Sequence, residues 1–169
     1  MRTLLLPTLI LFLLADVSRA QYQSDGITTF ILVRHAEKVD DSRDPELSPE
    51  GYKRAELLAE MLSETSIDAV YSTNLIRTKE TVRAITEENG IDLQFYDTQN
   101  PSETAAGWIE KHRGGVILIS GHSNTTPTLA NALLGRDHFQ DHFNESDYGN
   151  LLIITLTDSR EPRLLHLKY

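Results

Sequence analysis

Four residues have the types and spacing to grip an anion and attack it: the adjacent Arg34 and His35, then Arg77, then His122. Arg34-His35 follows the apolar run Phe30-Ile31-Leu32-Val33, which reads as a buried strand. A guanidinium beside an imidazole does little for packing where a strand runs out. It suits phosphate chemistry well. An arginine fork binds two phosphoryl oxygens in fixed geometry. An unprotonated ring nitrogen of His35 can attack phosphorus, and flanking guanidiniums disfavour the imidazolium form. Val70-Tyr71-Ser72 leads to Arg77 in the same manner, and Ile117-Leu118-Ile119-Ser120 leads to Gly121-His122-Ser123. His122 there is placed to donate a hydrogen bond to a phosphoryl oxygen near a helix N-terminus. Taken singly, each residue has a plainer reading, such as a solvated arginine or a backbone-satisfied histidine. Three strand ends delivering such groups together is the informative observation.

Those ends must be brought together by the elements around them. Thr28–Val33 reads as the first strand. Ser48-Pro49-Glu50 reads as an N-cap, a first-turn proline and an acidic first turn, opening a helix with Ala55, Leu58, Ala59 and Leu62 on its inner face. Ile67–Tyr71 is the second strand. Asn74 or Ser72 is expected to cap a helix carrying Leu75, Thr78, Val82 and Ile85, which Gly90 ends. Arg77 then sits in a first turn, where a cation opposes the helix dipole and a bound anion would offset the conflict. Ile91–Tyr96 is the third strand, and Ser102–Arg113 a helix facing inward with Ala105, Trp108, Ile109 and His112. Val116–Ser120 is the fourth strand. Thr126-Pro127 caps a short helix stopping at Gly135. Leu151–Thr157 and Arg163–Leu167 read as an antiparallel pair joined by Asp158–Pro162. This alternation implies an α/β three-layer sandwich, with a mostly parallel central sheet and helices on both faces. In such sheets ligands bind beyond the carboxyl ends of the strands, which is where His35, Arg77 and His122 fall.

Bulk properties narrow the function classes. The 169 residues suffice for one domain, and none is cysteine, which excludes disulfides, zinc–thiolate sites and thiol nucleophiles. Residues 1–20 have the pattern of a secretory signal: Arg2, an apolar run Leu4–Leu14, and Ser18-Arg19-Ala20 before a cleavage that would leave Gln21 first. The apolar run is short for a bilayer span, which needs about 20 residues. The expected domain is therefore 21–169, secreted or periplasmic, with no stable membrane insertion after processing. The net charge is −9, and loss of residues 1–20 would leave −10. So acidic a chain should repel nucleic acid. A phosphate site must then be a basic pocket within an acidic shell. The acidic stretch Asp40–Asp44 reads as a solvated loop.

The motifs Val33-Arg34-His35, Leu47-Ser48-Pro49-Glu50-Gly51, Tyr71-Ser72-Thr73-Asn74-Leu75-Ile76-Arg77-Thr78-Lys79-Glu80-Thr81 and Gly121-His122-Ser123-Asn124 occur together and in order. Over residues 27–157 the chain resembles the histidine phosphatase superfamily, also called phosphoglycerate mutase-like. The resemblance implies that His35 is the phosphorylated nucleophile and that Arg34, Arg77 and His122 form the phosphate pocket. It departs from the family's Arg-His-Gly at Ala36. It also implies a carboxyl group beyond the third strand as proton donor to the leaving group. Asp97 is the first choice and Glu103 the reserve.

The expected activity is that of a phosphomonoester phosphatase with no cofactor, acting on a small phosphorylated molecule or a phosphoprotein. The alternatives are a phosphate-binding module without turnover and a phosphomutase. A mutase must keep water from its phosphoenzyme, and no long insertion offers a lid. His138 and His142, with Asp137 and Asp141, have the spacing of a helical metal pair. No capped apolar helix supports them, so a polar loop is the preferred reading and no metal is assigned. Asn124-Thr125-Thr126 and Asn144-Glu145-Ser146 are formal glycosylation sequons, relevant only in a eukaryote.

Overall fold

The computed structural model describes residues 26–169, so the expected signal segment lies outside the described residues. Six strands and four helices alternate in the order β1 (Thr28–Arg34), α1 (Pro49–Leu62), β2 (Ala69–Ser72), α2 (Ile76–Asn89), β3 (Leu93–Phe95), α3 (Pro101–Lys111), β4 (Val116–Gly121), α4 (Thr125–Leu134), β5 (Asn150–Thr157) and β6 (Arg160–Lys168). They form one sheet ordered β3-β2-β4-β1-β5-β6. The first four strands in that order are parallel; β5 and β6 run antiparallel at one edge. The expected α/β sandwich is the observed one.

Strand periodicity explains the three layers. Successive side chains face opposite sides. Phe30, Leu32, Ala69, Tyr71, Ile117 and Ile119 pack with Ala105 and Trp108 of α3 and Leu129 and Leu133 of α4. Ile31, Val33, Val70 and Leu118 pack with Leu58 and Leu62 of α1 and Val82 and Ile85 of α2. A near-continuous apolar strand therefore serves two cores at once, as expected of parallel strands buried on both faces. Register then aligns the ends that matter. Arg34 lies opposite Gly121, Ser120 opposite Ser72, and Ser72 opposite Phe95.

The helix starts differ from expectation in instructive ways. Ser48 caps α1, its hydroxyl accepting from the Gly51 N–H at 3.1 Å. Neither Asn74 nor Ser72 caps α2. That helix starts after Leu75, which has no side-chain cap bond. Its Ile76 N–H instead donates to the Asp44 carboxylate at 2.8 Å. The cap is supplied by a distant loop, so local sequence rules miss it. Likewise α4 starts at Thr125, with Thr126 and Pro127 inside it rather than capping. The last two strands close sooner than expected, since β6 begins at Arg160 and leaves only Asp158 and Ser159 between them.

Gly51 shows how tightly α1 is pressed against the segment after His35. A Cβ there would run into the Glu37 carbonyl oxygen. Because the obstacle is backbone, it cannot rotate away. Gly51→Ala is expected to destabilise the fold by about 1–3 kcal/mol, the usual cost of overpacking. The check is a urea-denaturation midpoint measured with unchanged slope.

Candidate active site

The site grows from the carboxyl end of β1. The His35 N–H donates to the Gly121 carbonyl at 2.9 Å, continuing the sheet one residue past the strand. The chain then turns away and is held at each step. The Ala36 N–H donates to Thr81 Oγ1 at 2.9 Å, and that hydroxyl donates to the Arg77 carbonyl at 2.7 Å. The Ser48 N–H donates to the Glu37 carbonyl at 2.9 Å. Arg54 of α1 grips the Glu37 carboxylate through Nε and Nη2, at 2.6 Å for the shortest contact. Ala36 sits here without strain: it is fully buried, and no described non-glycine residue has positive φ.

His35 is 4% exposed. Its Nδ1 lies 2.8 Å from the Ala36 carbonyl. A carbonyl can only accept, so Nδ1 carries the proton and Nε2 keeps its lone pair. Burial pushes the ring pKa down to about 3; the Ala36 contact opposes this, while Arg34, His122 and Arg77 add to it. The ring is thus neutral at any physiological pH. His122 stands 5.4 Å away, ring centre to ring centre. Burial and then Arg77 and Arg34 lower it to about 4. Its Nε2 lies 2.9 Å from Thr73 Oγ1, and its backbone N–H donates to Thr125 Oγ1 at 2.9 Å. Gly121 before it is closely surrounded: a Cβ would lie 2.9 Å from both Thr126 Oγ1 and the Tyr96 hydroxyl.

His35, Lys38, Arg77, Thr98, His122, Ser123, Asn124, Thr125 and Glu145 line one cavity. The structure therefore brings His35, Arg77 and His122 together. Arg77 Nη1 is buried without a hydrogen-bond partner among the described residues, with Asp44 Oδ1 at 3.7 Å. Asp44 is more than the solvated loop acid expected, since it caps α2 and faces Arg77. Arg34, expected in the phosphate pocket, is instead fully buried and does not line the cavity, because its guanidinium is bound by the segment before β5. Its Nη1 donates to the carbonyls of Asn144 at 2.9 Å and Glu145 at 2.8 Å, and its Nη2 to Glu145 Oε2 at 2.7 Å. The Tyr148 ring covers it at 4.2 Å. Only its Nε–H is buried without a partner. The buried, unpaired N–H of Arg77, a residue that lines the cavity, fits a site for an oxyanion, because such a donor is costly to leave unbonded.

Asp97 lies outside this cavity. It borders two adjoining ones, one shared with Thr73, Thr98 and His122 and one with Tyr96, Thr98, Asn124 and His142. Its Oδ1 accepts from the Gln99 N–H at 2.9 Å. Glu103 sits exposed in the first turn of α3 and borders none of these three. His138 and His142 fall in an irregular segment, so the helical pairing is not formed. Asn131 organises that segment, its Oδ1 accepting from the N–H groups of His138 and Phe139 at 3.0 and 2.9 Å. Sequence reasoning missed Lys38, Thr98 and above all Glu145 as cavity residues. Lys38 had one available signal, its place three residues after His35.

The sequence profile of the histidine phosphatase superfamily (branch 1) matches residues 30–100. Phosphoserine phosphatase 1 of Hydrogenobacter thermophilus is 40% identical over 70 residues, which are 37% of this chain and 33% of that protein. The chain spans about a third of the length of the curated relatives it matches. Among solved structures, phosphoserine phosphatase from Entamoeba histolytica in complex with 3-phosphoglyceric acid superposes with a TM-score of 0.66 at 16% identity, over 84% of this chain and 97% of that one. The protein histidine phosphatase SixA complexed with tungstate gives 0.66 at 15% identity, over 83% and 96%. The profile match covers the segment that carries Arg34, His35 and Arg77, and the solved structures share the fold.

The buried neutral imidazole has a consequence for stability. Unfolded, His35 takes a proton near pH 6.5; folded, only near 3. Between these values the unfolded chain binds more protons, so stability present above about pH 6.5 is lost as pH falls. His35→Gln is expected to make the decline shallower, read as the difference in urea midpoint between about pH 7 and about pH 4.5. Equal declines in both proteins would mean that the ring is not buried in neutral form.

Proposed function

We propose that the chain is a phosphomonoester phosphatase that works through a phosphohistidine on His35. The observation that carries this reading is the locked ring. Nδ1–H is committed to the Ala36 carbonyl, so an unprotonated Nε2 is available in a cavity shared with Arg77, Lys38 and His122. A phosphoryl dianion entering there would meet Arg77, Lys38, the Ser123 hydroxyl and the start of α4. Arg34 acts from below through its positive charge and its unpaired Nε–H. The tungstate complex of SixA supports a tetrahedral oxyanion as the occupant.

In the first step Nε2 attacks phosphorus and the P–O bond to the leaving group breaks. Arg77, Lys38 and a hydrogen bond from His122 would stabilise the charge that spreads over the phosphoryl oxygens. The leaving oxygen needs a proton unless it is already a good leaving group. Asp97 is the proposed donor for leaving groups that extend past Thr98 into the adjoining cavities. In the second step water displaces the ring and releases phosphate. The reading includes a cleaved signal at residues 1–20 and a secreted or periplasmic setting; it requires no metal. A small phosphorylated molecule or a phosphoprotein would be the substrate.

Four outcomes test it. His35→Ala should lose nearly all phosphatase activity across a substrate panel while keeping its circular dichroism spectrum. Wild type quenched during turnover should yield an acid-labile phosphoenzyme, and normal turnover by His35→Ala would end the proposal. Arg77→Ala should lower kcat/KM by about 10²–10³-fold, as expected when a donor to the developing charge is removed. Protein recovered from its native compartment should begin at Gln21 by N-terminal sequencing.

A further inference from the structure

Hydrolysis of a phosphohistidine is accelerated by a group that takes a proton from the attacking water. Among the residues lining the His35 cavity there is one carboxylate, Glu145. It comes from the irregular segment between α4 and β5, and it is held from both ends. Its backbone carbonyl accepts from Arg34 Nη1, and its Oε2 from Arg34 Nη2. Its Oε1 accepts from the Ser123 hydroxyl. Each carboxylate oxygen has a second lone pair, so these contacts fix the group without using up its acceptor capacity. The side chain is 77% exposed, so water reaches it freely. The Ser123 hydrogen bond, together with Arg34, His35 and Lys38, holds the carboxyl below its usual range. At neutral pH it is therefore ionised, so it has no proton to donate and a carboxylate oxygen is free to accept one. Asp97 belongs to the neighbouring cavities instead.

Resting on the phosphohistidine reading above, we propose that Glu145 is the general base of the second half-reaction. The water oxygen bonds to phosphorus as the bond from phosphorus to His35 Nε2 breaks, and that electron pair returns to the ring. The water proton passes to the Glu145 carboxylate. Inorganic phosphate departs, and Glu145 releases the proton to solvent. Nothing but water is consumed. The two half-reactions thereby use different acids and bases, in keeping with Glu145 lining the His35 cavity and Asp97 the adjoining ones.

The test uses the full chain and p-nitrophenyl phosphate, whose leaving group needs no proton. Glu145→Gln keeps the side chain's size and one acceptor oxygen toward Arg34. In rapid mixing, wild type and Glu145→Gln should both release a stoichiometric burst of nitrophenolate, which also counts the folded, competent sites. The variant should then turn over at least about 10²-fold more slowly, the lower end of what a general base contributes. Its phosphoenzyme should accumulate accordingly. The wild-type rate of phosphoenzyme decay should fall as pH drops low enough to protonate Glu145, and the variant should lack that limb. Decay at the wild-type rate in Glu145→Gln would overturn the proposal. So would burst and steady state slowing by the same factor, which would mark Glu145 as a support for Arg34 only. A wild type that forms no phosphoenzyme would overturn the phosphohistidine reading itself, and the base with it; the quench experiment tells that failure from the others.

Discussion

One hydrogen bond sets the chemistry of the whole site: His35 Nδ1–H to the carbonyl of the next residue, at 2.8 Å. It decides which ring nitrogen keeps a lone pair. It has that power only because the carbonyl cannot move. The Ala36 amide is tied to Thr81 of α2, and the following carbonyl and carboxylate of Glu37 are tied to Ser48 and Arg54 at the start of α1. Two helices on one face of the sheet thus hold three consecutive residues at the end of β1. Gly51 permits that grip by letting α1 approach the Glu37 backbone without a side chain between them. Packing on one face of the sheet is converted into the orientation of one ring.

Arg34 poses the opposite problem. A guanidinium with no solvent exposure is costly unless it is paired and hydrogen-bonded. Here the segment between α4 and β5 meets the cost by turning its carbonyls of Asn144 and Glu145 inward and laying Tyr148 over the cation. The segment has little regular structure of its own to hold it. Its shape comes from what it must bond: Arg34 at one end, Asn131 of α4 at the other, and the Phe143 N–H to the Ser123 carbonyl between them. A buried charge therefore organises a wall of the cavity. That explains why residue 34 is bound up with the site even though its Nη groups are taken by the protein.

The frame was legible in the sequence, and the reason is periodicity. Apolar runs such as Phe30–Val33 and Ile117–Ile119 signal strands buried on both faces, and the spacing of Leu58 and Leu62 or Val82 and Ile85 signals helices. Parallel topology then puts His35, Arg77 and His122 at one edge, because residues just past the ends of parallel strands must neighbour one another. What periodicity cannot show is a partner supplied from far along the chain. Asp44 caps α2 from a distance of more than a helix, and nothing in the residues before Ile76 announces it. Glu145 is hidden for the same reason. It lies in a polar, aperiodic stretch, and its relevance exists only once Arg34 and Ser123 are seen to flank it. Asp97 shows the converse: a position directly after β3 placed it near the site, yet it borders the adjoining cavities and not the one His35 lines.

The charge arrangement bears on how such a site releases what it binds. Each cation near His35 already has an acid beside it: Arg34 with Glu145, Arg77 with Asp44, Lys38 with Asp41. Both histidines are kept neutral by burial, so they add no positive charge. The chain as a whole carries −9. An arriving anion thus gains the cations only by competing with carboxylates, which tempers its binding and favours species of higher charge. Had the three cations stood unaccompanied, inorganic phosphate would be held more firmly. On the proposed phosphatase reading, phosphate must leave in every cycle. Interaction with the transition state, where charge spreads onto all the equatorial oxygens, benefits most from donors fixed in place, whereas ground-state attraction is what the paired acids reduce. On that reading, the acids beside the cations lower product retention while the donors keep their fixed positions around the reacting group.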